Sequence, residues 1–295
     1  MRSLIQTLKA KKIVISDGAI GTILQARGLQ PGECPELWNI THRSEILTMA
    51  KEYIEAGSDM ILTNSFGANS LKLKHFGLQD RVAELNRVAA QIAREAAGDD
   101  HLVFGSIGPT GVIIMMGDVS EEEIYDGYFV QTKALKEGGV DGICVETMSA
   151  IDEAAIAIRA ARDATGLEVA CTFTFEKTLN NEYRTMMGVT PEEMVKAVKA
   201  AGANIIGTNC GNGIELMIEI VKEIRKVDNI TPVIVHSNAG KPIVKEGRTI
   251  FPETPEFMAS KIKELIEAGA NIVGGCCGTT PEHIKAIAKV VKSLR

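Results

Sequence analysis

Along the chain, short apolar runs rich in β-branched residues alternate with longer segments whose apolar positions recur at helical spacing. Eight such runs predict strands: Ile13 to Asp17, Met60 to Asn64, Leu102 to Ser106, Gly142 to Glu146, Glu168 to Phe173, Asn204 to Asn209, Pro232 to Ser237 and Asn271 to Gly275. Between them lie amphipathic segments such as Val82 to Ala97, Ile151 to Ala164 and Pro255 to Ala268. Strict alternation of this kind argues for a parallel sheet, and eight βα units argue for an α/β fold closed as a (β/α)8 TIM barrel.

An internal repeat supports the count. Ala56-Gly57-Ser58-Asp59, Gly138-Gly139-Val140-Asp141, Ala201-Gly202-Ala203-Asn204 and Ala268-Gly269-Ala270-Asn271 each precede a predicted strand. Each reads as a helix end with glycine in the left-handed position, followed by a tight turn on the barrel's bottom face, a structural role. Leu4, Ile5 and Leu8 predict a short helix closing the floor, and Pro281 starts a last helix capped by Thr279 or Thr280. Nothing rich in Pro, Gly or Ser divides the chain, so one domain is expected over 1–295, a length that a single barrel commonly needs.

Charge narrows the function classes. The formal net charge of −6 comes from scattered residues of both signs, and no dense Lys/Arg cluster exists to neutralise phosphates, which argues against a nucleic-acid partner. No apolar run approaches the ~18 residues of a membrane helix, and Met1 to Lys12 lacks a signal-peptide core, so no membrane association and a cytoplasmic location are expected. Six cysteines are too sparse for a disulfide scaffold in a chain of this size, which turns attention to metal binding or catalysis.

In such a barrel the active site forms where the strands end, at their C-terminal mouths. There the sequence places Asp17-Gly18-Ala19, Thr63-Asn64-Ser65, Ser106, Glu146-Thr147, Thr208-Asn209-Cys210, His236-Ser237-Asn238 and Cys276-Cys277. Cys210, Cys276 and Cys277 could converge on one ion, with Gly274, Gly275 and Gly278 letting the backbone turn so that both vicinal sulfurs reach the same side. Sulfur ligands favour Zn2+, and three protein ligands leave an open fourth position, the catalytic pattern. Such a zinc can bind a substrate thiol and hold it as thiolate at neutral pH. Asp17 and Glu146 suit the ammonium group of an amino-acid substrate, and the backbone N–H groups of Gly18, Ala19 and Gly21 suit its carboxylate. His236 reads as a general base, a ligand or a structural residue, and Asn238 as a group filling the fourth zinc position without substrate. Cys34, Cys144 and Cys171 read as structural.

These residues resemble a known family. Asp-Gly-Ala-Ile-Gly-Thr at 17–22, Gly-Thr-Asn-Cys-Gly at 207–211 and Gly-Gly-Cys-Cys-Gly-Thr at 274–279 are similar to the homocysteine S-methyltransferase family over nearly the whole chain. Two further segments, Thr-Asn-Ser-Phe-Gly-Ala-Asn at 63–69 and Gly-Ser-Ile-Gly-Pro-Thr-Gly at 105–111, look most like the homocysteine module of cobalamin-dependent methionine synthases. The resemblance implies a zinc held by Cys210, Cys276 and Cys277. It also implies homocysteine as methyl acceptor, with Asp17, Gly18, Ala19, Asn64, Ser106 and Glu146 around it.

The chain ends at Arg295, one helix past the Cys-Cys motif, so folate, corrinoid and reactivation functions are expected on separate proteins or on parts of a longer chain. A corrinoid protein carrying methylcobalamin is the expected donor, with S-methylmethionine or betaine as small-molecule alternatives; a chain with one Trp and four Tyr is poorly equipped to cage a quaternary ammonium. Two rivals remain. One is an aldolase-type or phosphate-binding barrel, disfavoured because no strand ends in Lys. The other is a non-catalytic zinc-binding or redox-sensing subunit that docks a corrinoid protein.

Overall fold

A computed structural model describes residues 2–245 and 248–295. The eight predicted strands are all present: β1 (Val14–Ile15), β2 (Met60–Leu62), β3 (Leu102–Ile107), β4 (Gly142–Met148), β5 (Glu168–Phe173), β6 (Ile205–Asn209), β7 (Val233–Ser237) and β8 (Ile272–Gly275). They pair in parallel in the order β1-β8-β7-β6-β5-β4-β3-β2, so that β2 to β8 each lie beside their sequence neighbours and β1 pairs with β8. The helices that return the chain from mouth to floor are α1 (Arg43–Ala56), α2 (Val82–Ala97), α3 (Glu121–Gly138), α4 (Ile151–Thr165), α5 (Pro191–Ala201), α6 (Ile214–Val227), α7 (Pro255–Glu267) and α8 (Pro281–Leu294). Among the described residues no helix is long and apolar enough to cross a membrane.

Two features depart from the periodicity. The first two strands stop earlier than their apolar runs, which leaves Asp17, Thr63 and Asn64 outside the ladder and able to turn into the mouth. Short antiparallel hairpins, Glu176–Lys177 with Tyr183–Arg184 and Ile243–Lys245 with Arg248–Ile250, decorate the loops after β5 and β7.

Closure between β1 and β2 is made largely by side chains instead of a full ladder. Asp59 N–H donates to Ile15 O at 2.7 Å, Ile15 N–H to Asp59 Oδ2 at 2.9 Å, and Leu62 N–H to Asp17 Oδ2 at 2.7 Å. The barrel is therefore nearly closed, with a seam stitched by two carboxylates.

Inside it, Val14, Met60, Leu102, Phe104, Cys144, Ala170, Ile205, Ile234 and Ile272 form a filled interior drawn from all eight strands. The predicted floor helix spans Leu4–Lys11, and its fully buried Leu4 plugs this interior from below. A larger apolar layer lies between strands and helices and includes Cys171. Cys34 joins a third, smaller cluster, so the three remaining cysteines are buried.

The repeated floor turns gain a mechanism. Gly57, Gly139, Gly202 and Gly269 all adopt left-handed φ, between 101° and 119°. Two residues later, the side chains of Asp59, Asp141, Asn204 and Asn271 accept the N–H of Ile15, Val103, Val169 and Val233 at 2.9–3.0 Å. Each repeat thus pins the next strand to the one preceding it.

Candidate functional site

A cavity of about 370 Å³ opens at the mouth, and Gly18, Ala19, Asn64, Ser106, Glu146, Cys210, His236, Cys276 and Cys277 all line it. Two loops bring the thiols together, and β7, which lies between β6 and β8, anchors both. Cys210 N–H donates to His236 O at 3.0 Å, Cys276 N–H to Ser237 O at 2.7 Å, and Ala239 N–H to Cys277 O at 3.0 Å. Cys210 sits at φ +60°, an uncommon conformation for a residue with a side chain, found where a site demands it.

The glycines around the vicinal pair act in two ways. Gly278 takes φ +81°, so the chain turns there as its freedom suggested. Gly275 has no left-handed φ and serves by what it lacks: a Cβ would lie 2.3 Å from Thr279 Oγ1. That hydroxyl donates to Cys276 O at 2.7 Å and accepts Ala19 N–H at 3.0 Å, tying the Cys-Cys turn to the loop after β1.

The three Sγ atoms all lie within 4.8 Å of one another, with Cys210 and Cys277 3.9 Å apart and none in a disulfide. Cys210 is held far below the usual thiol range because the S–H groups of Cys276 and Cys277 donate to it, and the amide of Asn238 adds to this. The same sharing pushes Cys276 and Cys277 up. Asn238 Oδ1 is buried with no hydrogen-bond partner. A triad of soft donors, one of them already favouring the thiolate and flanked by an orphaned oxygen, fits a zinc ion with one open position.

Of the two nominated carboxylates only Glu146 lines this cavity; Asp17 is buried just behind its wall at the β1–β2 seam, where it accepts Leu62 N–H, and Glu36, which accepts Gly67 N–H, is the other carboxylate on the lining. Burial pushes Asp17 up to about 7, partly offset by the Leu62 N–H and the Ser16 hydroxyl. Burial likewise raises Glu146 to about 7, against the Ser106 hydroxyl, with the Asp17 and Cys210 charges adding to the rise. No Lys or Arg lines the cavity among the described residues. The arrangement can receive a cationic group beside a thiol-binding metal.

The other nominated residues take distinct places. Ser106 Oγ donates to Glu146 Oε1 and so orients that carboxylate. Asn64 lines the wall, but its Nδ2 donates to Pro35 O at 2.9 Å and Asn39 Oδ1 at 3.1 Å, so its amide braces the loop after β1. Ala19 N–H is taken by Thr279, as above, which leaves Gly18 and Gly21 as the freer donors of that turn. His236 is buried, its Nε2 has no partner, and burial lowers it to about 4, so the ring is neutral. Lys241 and Lys245 stand exposed, outside the cavity, with Lys241 3.5 Å from Glu176.

Sequence reasoning missed three supports. Tyr53 OH donates to Ala19 O at 2.6 Å, Thr279 bridges two loops, and Asn209 contacts both Glu146 and Thr147. Asn209 stands next to Cys210 in a polar strand end, which was its one visible signal.

A nearly closed (β/α)8 barrel whose mouth gathers three thiols that could hold a soft metal, with two carboxylates close by that lack counterions among the described residues, defines the class. The chain belongs to the homocysteine S-methyltransferase family, whose profile matches residues 14–291. It is 32% identical to a methionine synthase of Mycobacterium leprae over 98% of its own length, and 31% identical to that of Mycobacterium tuberculosis over 97%. It spans about a quarter of the length of these curated relatives, 25% in each case. Its fold matches the metallated form of the homocysteine methyltransferase MmuM from Escherichia coli with a TM-score of 0.79 at 22% identity, covering 97% of this chain and 99% of that one. The oxidized form of the same protein matches with a TM-score of 0.77 at 24% identity, over 98% and 99% of the two chains.

Proposed function

We propose that this chain is a zinc-dependent methyltransferase that converts homocysteine to methionine, with a methylcorrinoid protein as the donor. The observation that carries the reading is the presence, in one cavity, of three clustered thiols and the counterion-free carboxylate of Glu146, with Asp17 buried just behind the same wall. Family membership and the methionine synthase relatives support it.

Cys210, Cys276 and Cys277 would hold the zinc, with Asn238 Oδ1 available to the fourth position when substrate is absent. Zinc supplies the Lewis acidity that keeps a substrate thiol as thiolate near neutral pH. The remaining work falls to the protein. Asp17 and Glu146 receive the substrate's ammonium, whose charge offsets the desolvation of both carboxylates. Ser106 holds Glu146 in place. The N–H groups of Gly18 and Gly21 face the substrate's carboxylate, aided by the start of the Gly21–Ala26 helix. A cavity of about 370 Å³ suits a small amino acid. Phe66 is its one aromatic lining residue among those described, so a cage for betaine is lacking, which favours the corrinoid donor over that alternative.

The test is zinc content of freshly reduced protein together with methionine formation from homocysteine, with methylcobalamin and S-methylmethionine supplied in parallel. About one zinc per chain and turnover with methylcobalamin is the expected result. Turnover with S-methylmethionine alone would replace the donor and keep the rest. Absence of zinc would overturn the reading. Zinc without turnover, and without a new sulfur neighbour to the metal on adding homocysteine, would support the binding-subunit alternative.

A further inference from the structure

β4 carries Glu146 at a break in its own ladder. Val145 pairs with Cys171 and Met148 with Phe173, so two residues, Glu146 and Thr147, oppose the single Thr172 of β5. Such a bulge re-aims a side chain and leaves a backbone N–H without its ladder partner. Thr147 sits at φ +61°, a conformation strained for a β-branched residue. Something must take up its N–H and hold that geometry.

Asn209 does both, reaching across β5 from β6. Its Oδ1 accepts Thr147 N–H at 2.9 Å and the Thr172 hydroxyl at 2.8 Å, and its Nδ2 donates to Thr147 Oγ1 at 2.7 Å and Glu146 Oε2 at 3.3 Å. Two lone pairs and two N–H groups are thereby all used. The amide's orientation is fixed as well, since a backbone N–H can only donate. Asn209 is fully buried and does not line the cavity. Its neighbour Cys210, the first residue past β6, is one of the three clustered thiols, so one dipeptide at the end of β6 serves both halves of the site.

We infer that Asn209 is a positioning residue that holds the Glu146 bulge and thereby sets the affinity for the substrate's ammonium group, independently of metal retention. The inference rests on the proposed homocysteine reading. Asn209→Ala should raise the KM for homocysteine roughly tenfold while kcat stays within about threefold, with zinc content unchanged. Calorimetric titration of homocysteine into the zinc-loaded protein should show the same weakening. Glycine tolerates φ +61° without a brace, so adding Thr147→Gly to Asn209→Ala should recover at least about threefold of that KM. Should Asn209→Ala not fold, Thr172→Val removes one hydroxyl from the same amide and should raise KM in the same direction by a smaller factor.

An unchanged KM in whichever of these variants folds, zinc lost in step with activity, or a double variant no better than Asn209→Ala would each overturn the inference while leaving the function standing. Wild-type protein that neither binds nor methylates homocysteine would overturn both.

Discussion

The two ends of the barrel bury carboxylates in opposite ways. At the floor, Asp59 lies between Lys11 at 2.6 Å and Arg295 and accepts Ile15 N–H, while Asp141 pairs with Arg94 and accepts Val103 N–H. At the mouth, Asp17 and Glu146 are as deeply buried but have only hydroxyl, amide and backbone donors, and neither pairs with a cation among the described residues. A buried charge with a partner and saturated hydrogen bonds belongs to the fold; one left without a counterion destabilises the fold until a ligand supplies one. The floor's charges hold strands in register with cations beside them; at the mouth Asp17 also ties the β1–β2 seam through Leu62, but neither it nor Glu146 has a counterion.

The contrast can be broken most sharply at the thiols, which belong wholly to the mouth. Cys276→Ala should remove one of three ligands and weaken zinc by more than roughly a hundredfold, the upper range for losing even an outer-sphere partner. Elemental analysis should find the metal gone and methionine formation lost, while the metal-free protein melts where metal-free wild type does. Retained zinc and turnover would sink the ligand assignment.

A floor variant should do the reverse. Asp59→Ala leaves Ile15 N–H and the Arg295 guanidinium without their shared acceptor and should destabilise the protein by about 2 kcal/mol. The expected readout is a melting temperature several degrees lower, with the KM for homocysteine unchanged. A raised KM with an unaltered melting point would erase the division between the two ends.

Asp17→Asn sharpens it from the other side. The amide oxygen can still accept Leu62 N–H and keep the seam closed, but the charge is gone. The KM for homocysteine should rise about tenfold with zinc content intact. An unchanged KM would remove Asp17 from the substrate's surroundings.

The sequence carried the barrel because its two periods are local: β-rich runs and amphipathic helices announce themselves residue by residue. α2 runs over the predicted Val82 to Ala97 without a shift. The floor repeats were visible for the same reason, since one turn needs one glycine and one Asp or Asn. The three thiols were legible because strand ends converge in any such barrel, so three cysteines at the mouths of strands six and eight had to meet near one point. What stayed hidden depends on two strands at once. The bulge at Glu146 and Thr147 is a mismatch of register between β4 and β5, and Asn209 acquires its role only because that mismatch frees an N–H beside it. The hairpins after β5 and β7 are too short for a periodic signal, and the incomplete β1–β2 ladder is a matter of closure geometry.

The smallest expected effect is one of pH. Burial raises Asp17 from 3.8 and Glu146 from 4.5 to about 7 in the protein without ligand. Between roughly pH 4 and 7 the folded protein keeps protons that the unfolded chain has released, so these two groups make stability fall as pH rises through that window, and their full penalty stands above it. An ammonium ion favours the charged carboxylates, so homocysteine should relieve the penalty and drive off protons as it binds. Its affinity must then weaken as pH falls below about 7. A carboxyl with a pKa near 7 is ionised about one quarter of the time at pH 6.5, which predicts a rise in KM of about fourfold per group relative to well above pH 7. Protonation of the substrate thiol and of the metal's ligands acts on wild type and Asp17→Asn alike, so the ratio of their KM values isolates the carboxylate. That ratio should shrink by about threefold between pH 8 and 6.5. A constant ratio would mean that Asp17 is already paired before the substrate arrives, and the mouth would then be electrostatically no different from the floor.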